Sequence, residues 1–269
     1  MPVRSPPVPY CGAPPSPAEL LARWNFDPVL IAALAVIALV YALGARKAGL
    51  GRVPRALFAC GWALTAAALV SPLCPLSVSL FAARVGQHMV LTLLAAPLVA
   101  AGRPVQALTA LLRRGTLASS GGSPMAAALV FAALLWGWHA PAPYAATFQS
   151  PVVYWTMHLS LYGSALWLWS RLLVRPNPRP AVAIAAGLLS TVQMGLLGAL
   201  ITLSPQALYA PHALTTAAWG LTPLQDQQLG GAIMWIPGCL AFLAAAMAEL
   251  WALISEPAPA SRKLGAVAR

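Results

Sequence analysis

The chain has 269 residues, of which 60% are hydrophobic and 8% charged, with a mean hydropathy of +0.76. Soluble domains carry roughly 25% charged residues, so the composition predicts an all-α polytopic membrane protein and argues against a soluble fold. The formal charge of +11 does not indicate nucleic acid, because the basic residues lie between apolar runs, where they orient a protein in the bilayer, and no basic segment is interleaved with exposed aromatics.

Residues 1–27 are polar and rich in proline, with no apolar core of the kind a cleaved signal peptide needs, and are expected to stay as an external segment. Seven apolar runs of membrane length follow as one domain over 28–255: 28–45, 56–74, 80–102, 125–139, 152–173, 181–203 and 229–255. The fourth is short and ends in the bend at Pro141 and Pro143. Residues 256–269 form a basic tail.

Seven spans place the termini on opposite sides. With the N-terminus outside, the inner loops and tail hold Arg46, Lys47, Arg52, Arg55, Arg103, Arg113, Arg114, Arg171, Arg175, Arg179, Arg262, Lys263 and Arg269, against Arg4 and Arg23 outside. Such asymmetry predicts a cytoplasmic C-terminus. Within the third loop, 118–124 (ASSGGSP) reads as a flexible turn and 106–114 as a short interfacial helix.

Helix contacts have their own signature. Gly187, Thr191 and Gly195 are spaced by four, and Gly230, Gly231 and Gly238 open the last run, a pattern that lets membrane helices approach closely. Pro237 should kink the seventh helix. The ten tryptophans, among them Trp24, Trp136, Trp138, Trp169 and Trp219, read as a belt near the span ends. Cys11 and Cys74 both fall on the outer side, where disulfides persist, and no CxxC spacing suggests a thiolate metal site.

The third run, LFAARVGQHMVLTLLAAPLVAAG, carries Arg84 and His88 one helical turn apart. Ionisable side chains cost at least about 2.5–3.5 kcal/mol each in the middle of a bilayer, so the pair marks a cavity or a site. His139, His158, His212 and Asp226, one of five acidic residues in the chain, fall in the same outer half. Imidazole suits copper, zinc and haem iron, and thioether suits reduced copper, so His88/Met89, Met157/His158 and Met234 lean towards copper(I). Adjacent helical residues point about 100° apart, which keeps each His/Met pair from closing on one ion, and methionine ordinarily fills apolar gaps. No Ser/His/Asp grouping, paired-carboxylate site or phosphate loop is present, so hydrolase and nucleotide chemistry are not expected and the chain does not read as an enzyme.

The runs ARVGQHMVLTLLAAPLVAAGRP (82–104), WGWHAPAPY (136–144), YWTMHLSLYGSALWLW (154–169) and LQDQQLGGAIMWIPG (224–238) resemble, in order and spacing, the multi-span cytochrome c oxidase assembly factors labelled CtaG. The resemblance implies a protein needed for maturation of a haem–copper oxidase, with oxidase subunits and copper as partners. It implies roles for His88, His139 and His158, and for Asp226, Gly230, Gly231, Met234 and Trp235. The chain departs from the pattern at Arg84, where the family has a first histidine, and Arg84 is expected to pair with a carboxylate such as Asp226 or with an anionic group of a partner or lipid. The expected metal ligands are therefore His88, His139, His158 and Met234, with Arg84, His212 and Asp226 in supporting roles. Two alternatives stay open: an integral haem-binding or quinone-linked redox protein, with His88 and His158 as axial ligands, and a metal-free assembly scaffold.

Overall fold

A computed structural model describes residues 8–112, 122–173 and 177–255, and every regular element among them is helical. The N-terminal segment ends at Asp27, whose carboxylate accepts from Val29 N and Leu30 N and caps α1 (Pro28–Lys47), with Pro28 in the first turn. Helix α2 (Arg52–Val70) stops at Ser71, earlier than the predicted second span, and a separate short helix α3 (Leu73–Ser79) precedes the third.

That third run is one continuous rod of three parts: α4 (Phe81–Met89), a π-helical stretch (Val90–Ala95) and α5 (Ala96–Ala101). Wide turns of this kind occur often beside functional residues, and here the stretch begins two residues past His88. Helix α6 (Pro104–Leu111) covers the described part of the predicted interfacial helix. Arg113, Arg114, Arg4, Arg175 and the tail with Arg262, Lys263 and Arg269 lie outside the described residues, as does most of the 118–124 turn. Helix α7 (Pro124–His139) is followed by the short α8 (Pro141–Ala146), so the Pro141 bend starts a new helical turn. Then come α9 (Pro151–Leu172), α10 (Pro180–Leu203) and α11 (Pro223–Ser255).

Helix α11 begins two turns earlier than the predicted seventh span. The cause is a reciprocal cap: Gln225 N donates to Thr222 Oγ1 while Thr222 N donates to Gln225 Oε1. The extension puts Asp226 on the helix, buried against α4. Pro237 lies inside α11 without ending it.

Among the described residues five helices are long and apolar enough to cross a membrane: α1, α2, the rod from Phe81 to Ala101, α10 and α11. Helix α7 is apolar but has only 16 residues, and α9 has the length but dilutes its apolar content with tyrosine, histidine, serine and tryptophan. Rows of exposed apolar side chains, such as Val36 and Leu39 on α1 or Val192, Leu196 and Leu200 on α10, suit a hydrocarbon solvent.

The main core lies between α4, α7, α9, α10 and α11 and includes Phe131, Leu135, Met157, Leu161, Met194, Met234 and Phe242. The glycine spacing marks its tightest seam. A Cβ on Gly198 would stand 2.8–2.9 Å from the Trp235 backbone and Cβ, one on Gly187 3.0 Å from Ala246 Cβ, and one on Gly238 would press on Met194. The indole N–H groups of Trp136, Trp138 and Trp169 bind Gln193 Oε1, Ser160 Oγ and the Thr92 carbonyl and tie helices together. A buried indole N–H needs such a partner.

Candidate functional site

Three of the four histidines converge. His88 on α4 stands edge to face with His158 of α9, ring centroids 5.2 Å apart, and with His139 at the end of α7, 6.2 Å apart. All three are buried. His158 Nδ1 lies 3.0 Å from the Tyr154 carbonyl and His139 Nδ1 lies 2.7 Å from the Leu135 carbonyl. A carbonyl only accepts, so Nδ1 carries the hydrogen in each ring, and the neutral imidazole is left with a bare Nε2. His158 Nε2 has no hydrogen-bond partner, and neither nitrogen of His88 has one.

Orienting a ring through one nitrogen while its other nitrogen stays free is how proteins present imidazole to a metal. Buried unpaired polar atoms cost about 1–3 kcal/mol each, so packing alone gives no reason for three of them in one place. The donor set thus fits a soft or borderline cation. Among the described residues, no three His, Cys, Asp or Glu side chains form a group able to hold a metal ion as they stand, so His88 and His158 form the close pair and His139 the more distant neighbour.

Met234 is fully buried in the apolar core cluster, four residues from Gly230, which faces Phe81 and Ala82, and four from Gly238, which faces Met194. His212 is set apart: its Nε2 meets Tyr144 Oη at 2.6 Å, and its ring lies edge-on to Phe148. Burial pushes the His212 imidazole down to about 3, and the charge of Arg84 acts in the same direction.

Arg84 and Asp226 do not pair: among the described residues no ion pair joins them. The Asp226 carboxylate accepts instead from Phe81 N (2.6 Å) and Ala82 N (3.0 Å), capping α4 from another helix. Residue Leu80, at the cap position itself, offers no side-chain acceptor, so the orphan amides take one from α11. Arg84, also buried, donates to Thr147 Oγ1 at 3.0 Å and lies over the rings of Phe148, Tyr144 and Tyr154, with guanidinium-to-centroid distances of 4.3, 5.3 and 5.5 Å. Aromatic faces supply part of what a carboxylate would have given. Tyr144 and Tyr154 fall inside the quoted sequence runs, so they could have been suspected; Thr147 and Phe148 carry no pattern that would have marked them.

A strap closes the end of the bundle next to the histidines. Cys11 and Cys74 form a disulfide with Cα atoms 5.6 Å apart. Beside it, Tyr10 stacks on Tyr154 at 4.8 Å and donates to Asp27 Oδ2 at 2.6 Å. Tyr154 in turn packs against the His158 ring, centroids 4.1 Å apart.

A model of the cytochrome c oxidase caa3 assembly factor family matches residues 34–256, which takes in every helix that contributes to this site. The chain belongs to that family. Family membership carries association with cytochrome c oxidase in its assembly, and the apolar helices agree with a membrane protein. No curated protein and no solved structure was found to match the chain.

Proposed function

We propose that this assembly factor holds and passes copper to the oxidase through His88 and His158, with His139 as the ligand on the transfer route. The observation that carries the reading is the set of unpartnered buried nitrogens, both of His88 and Nε2 of His158. Copper is the cargo here: imidazole suits it, and a site with few ligands releases what it binds. The same reading takes the chain as a seven-span bundle of the bacterial inner membrane with α7 and α9 as the fourth and fifth spans, the N-terminus outside and the C-terminus in the cytoplasm. The Cys11–Cys74 disulfide supports that orientation, because such bonds persist in oxidising compartments.

The test is copper analysis of the purified protein together with oxidase activity in membranes, for wild type, His88→Ala and His158→Ala. Both variants should insert and accumulate, yet bind copper more than tenfold more weakly, since each 1.4 kcal/mol of lost ligation is a factor of ten. His139→Ala should show the smaller equilibrium effect. Wild-type copper and full oxidase maturation in both of the first two variants would make the histidines structural, folded wild type with neither copper nor a Soret band would make the protein a metal-free scaffold, and a Soret band in the wild type would make it a haem protein.

A further inference from the structure

A cavity lined by two arginines lies away from the histidines, where α9 ends and α7 and α10 begin. It encloses about 370 Å³ and is lined by Gly122, Ser123, Arg171, Asn177 and Arg179 together with two prolines. Thirteen residues of helix separate His158 from Arg171 on α9, which is roughly 20 Å at 1.5 Å per residue. The cavity therefore stands at the other end of the bundle from the copper site and has no part in it.

Its chemistry is one-sided. Among the described residues two arginines line it and no carboxylate does. Among the described residues neither guanidinium has an ion pair, and Arg171 Nε is buried without a hydrogen-bond partner. The neutral polar groups of the wall are already engaged. Asn177 Nδ2 donates to the Arg171 carbonyl at 3.3 Å while its Oδ1 accepts from Arg179 N at 2.9 Å, which clips the backbones of the two arginines together. Ser123 Oγ accepts from Met125 N at the start of α7. The first turns of α7 and α10 add the positive ends of two long helices. Gly122 makes the wall possible: its φ of +74° favours glycine, and a Cβ there would stand 2.9 Å from Trp167.

We propose that this cavity binds a phosphate-bearing anion, with Arg171 and Arg179 as its two cationic partners, and that the source is the headgroup of an acidic phospholipid. Arginine forks match phosphate oxygens in pairs, and basic pockets between membrane helices take anionic headgroups in this way. A volume of about 370 Å³ lies within the range of sites that enclose small ligands.

The experiment uses the full chain in detergent, followed by native mass spectrometry and thermal melting with three probes: phosphatidylglycerol, phosphatidylcholine and inorganic phosphate. Wild type should retain phosphatidylglycerol over phosphatidylcholine. Arg171→Gln and Arg179→Gln should each weaken that binding about tenfold, and the double variant roughly a hundredfold. Arg52→Gln, an exposed charge elsewhere, should leave it unchanged, and lipid-free melting of each variant reports whether it has folded. Binding of inorganic phosphate with the same arginine dependence, but no retained lipid, would keep the anion cavity and overturn the lipid source. Phosphatidylglycerol affinity unaltered in the double variant, or equalled by phosphatidylcholine, would overturn the site itself.

Discussion

His88 is held in place by its helix rather than by any hydrogen bond to its ring, and its neighbours Arg84 and Asp226 show how a buried charge can be served without a salt bridge. Sequence spacing put Arg84 and His88 on one face and placed Asp226 on the same side of the membrane, which was enough to mark the site. Only the side-chain geometry reveals that Asp226 serves backbone amides of α4 while Arg84 lies among aromatic rings. Asp226→Ala should therefore destabilise the protein by about 1–3 kcal/mol, the cost of losing a buried cap. Combined with Arg84→Gln its effect should be close to additive, far from the 3–5 kcal/mol coupling of a broken buried ion pair. Thermal melts of the two single variants and the double variant decide this, and a double variant much milder than the sum of the singles would restore the ion pair. His212 gives a pH signature. Its folded value of about 3 is below the usual 6.5, so the unfolded chain binds a proton that the folded chain refuses. Stability from this group is complete above about pH 6.5 and is lost as pH falls towards 3, by up to about 1.4 kcal/mol per pH unit. Replacing His212 with Gln should flatten the fall in melting temperature between pH 7 and pH 5.

Among the helices, hydropathy located the main apolar elements because the lipid solvent selects long apolar runs, and small-residue spacing found the α10–α11 seam because backbones there touch. The short helices α3 and α8 escaped notice: at seven and six residues they are too short for a periodic signal and are held by tertiary contact. The early start of α11 was legible in Thr222 and Gln225, a T-x-x-Q box that hydropathy alone passes over. Helix α9 shows why span counting is uncertain near a site, since the side chains that build the site dilute the apolar signal. Gly198→Ala should force α10 and α11 apart and cost roughly 1–3 kcal/mol, because the obstructing atoms belong to the Trp235 backbone and cannot rotate away. Gly163→Ala on α9, with nothing within 4 Å of the added Cβ, should be neutral or slightly stabilising. Equal melting temperatures for the two variants would mean that the seam is looser than drawn.

For the whole molecule, the basic residues and the disulfide point to one orientation by unrelated physics, the first through insertion and the second through redox compartment. In spheroplasts of a strain expressing a Cys60→Ser, Cys239→Ser chain, a membrane-impermeant maleimide should label Cys11 and Cys74 only after treatment with an impermeant reductant. Labelling that requires disruption of the membrane would invert the topology. Sequence could not foretell the pairing of Cys11 with Cys74, because 63 residues of chain separate them and only the folded bundle brings their ends together.

The cap that Asp226 places on α4 also fixes an order in time. Synthesis runs from the N-terminus, so His88, His139 and His158 are all made before α11. Until α11 arrives, the amides of Phe81 and Ala82 lack their carboxylate and the first turn of α4 is free to fray, with Arg84 and His88 on it. The first turn of α4 therefore waits on a carboxylate from α11, and a chain cut before Pro223 carries all three imidazoles with that turn uncapped.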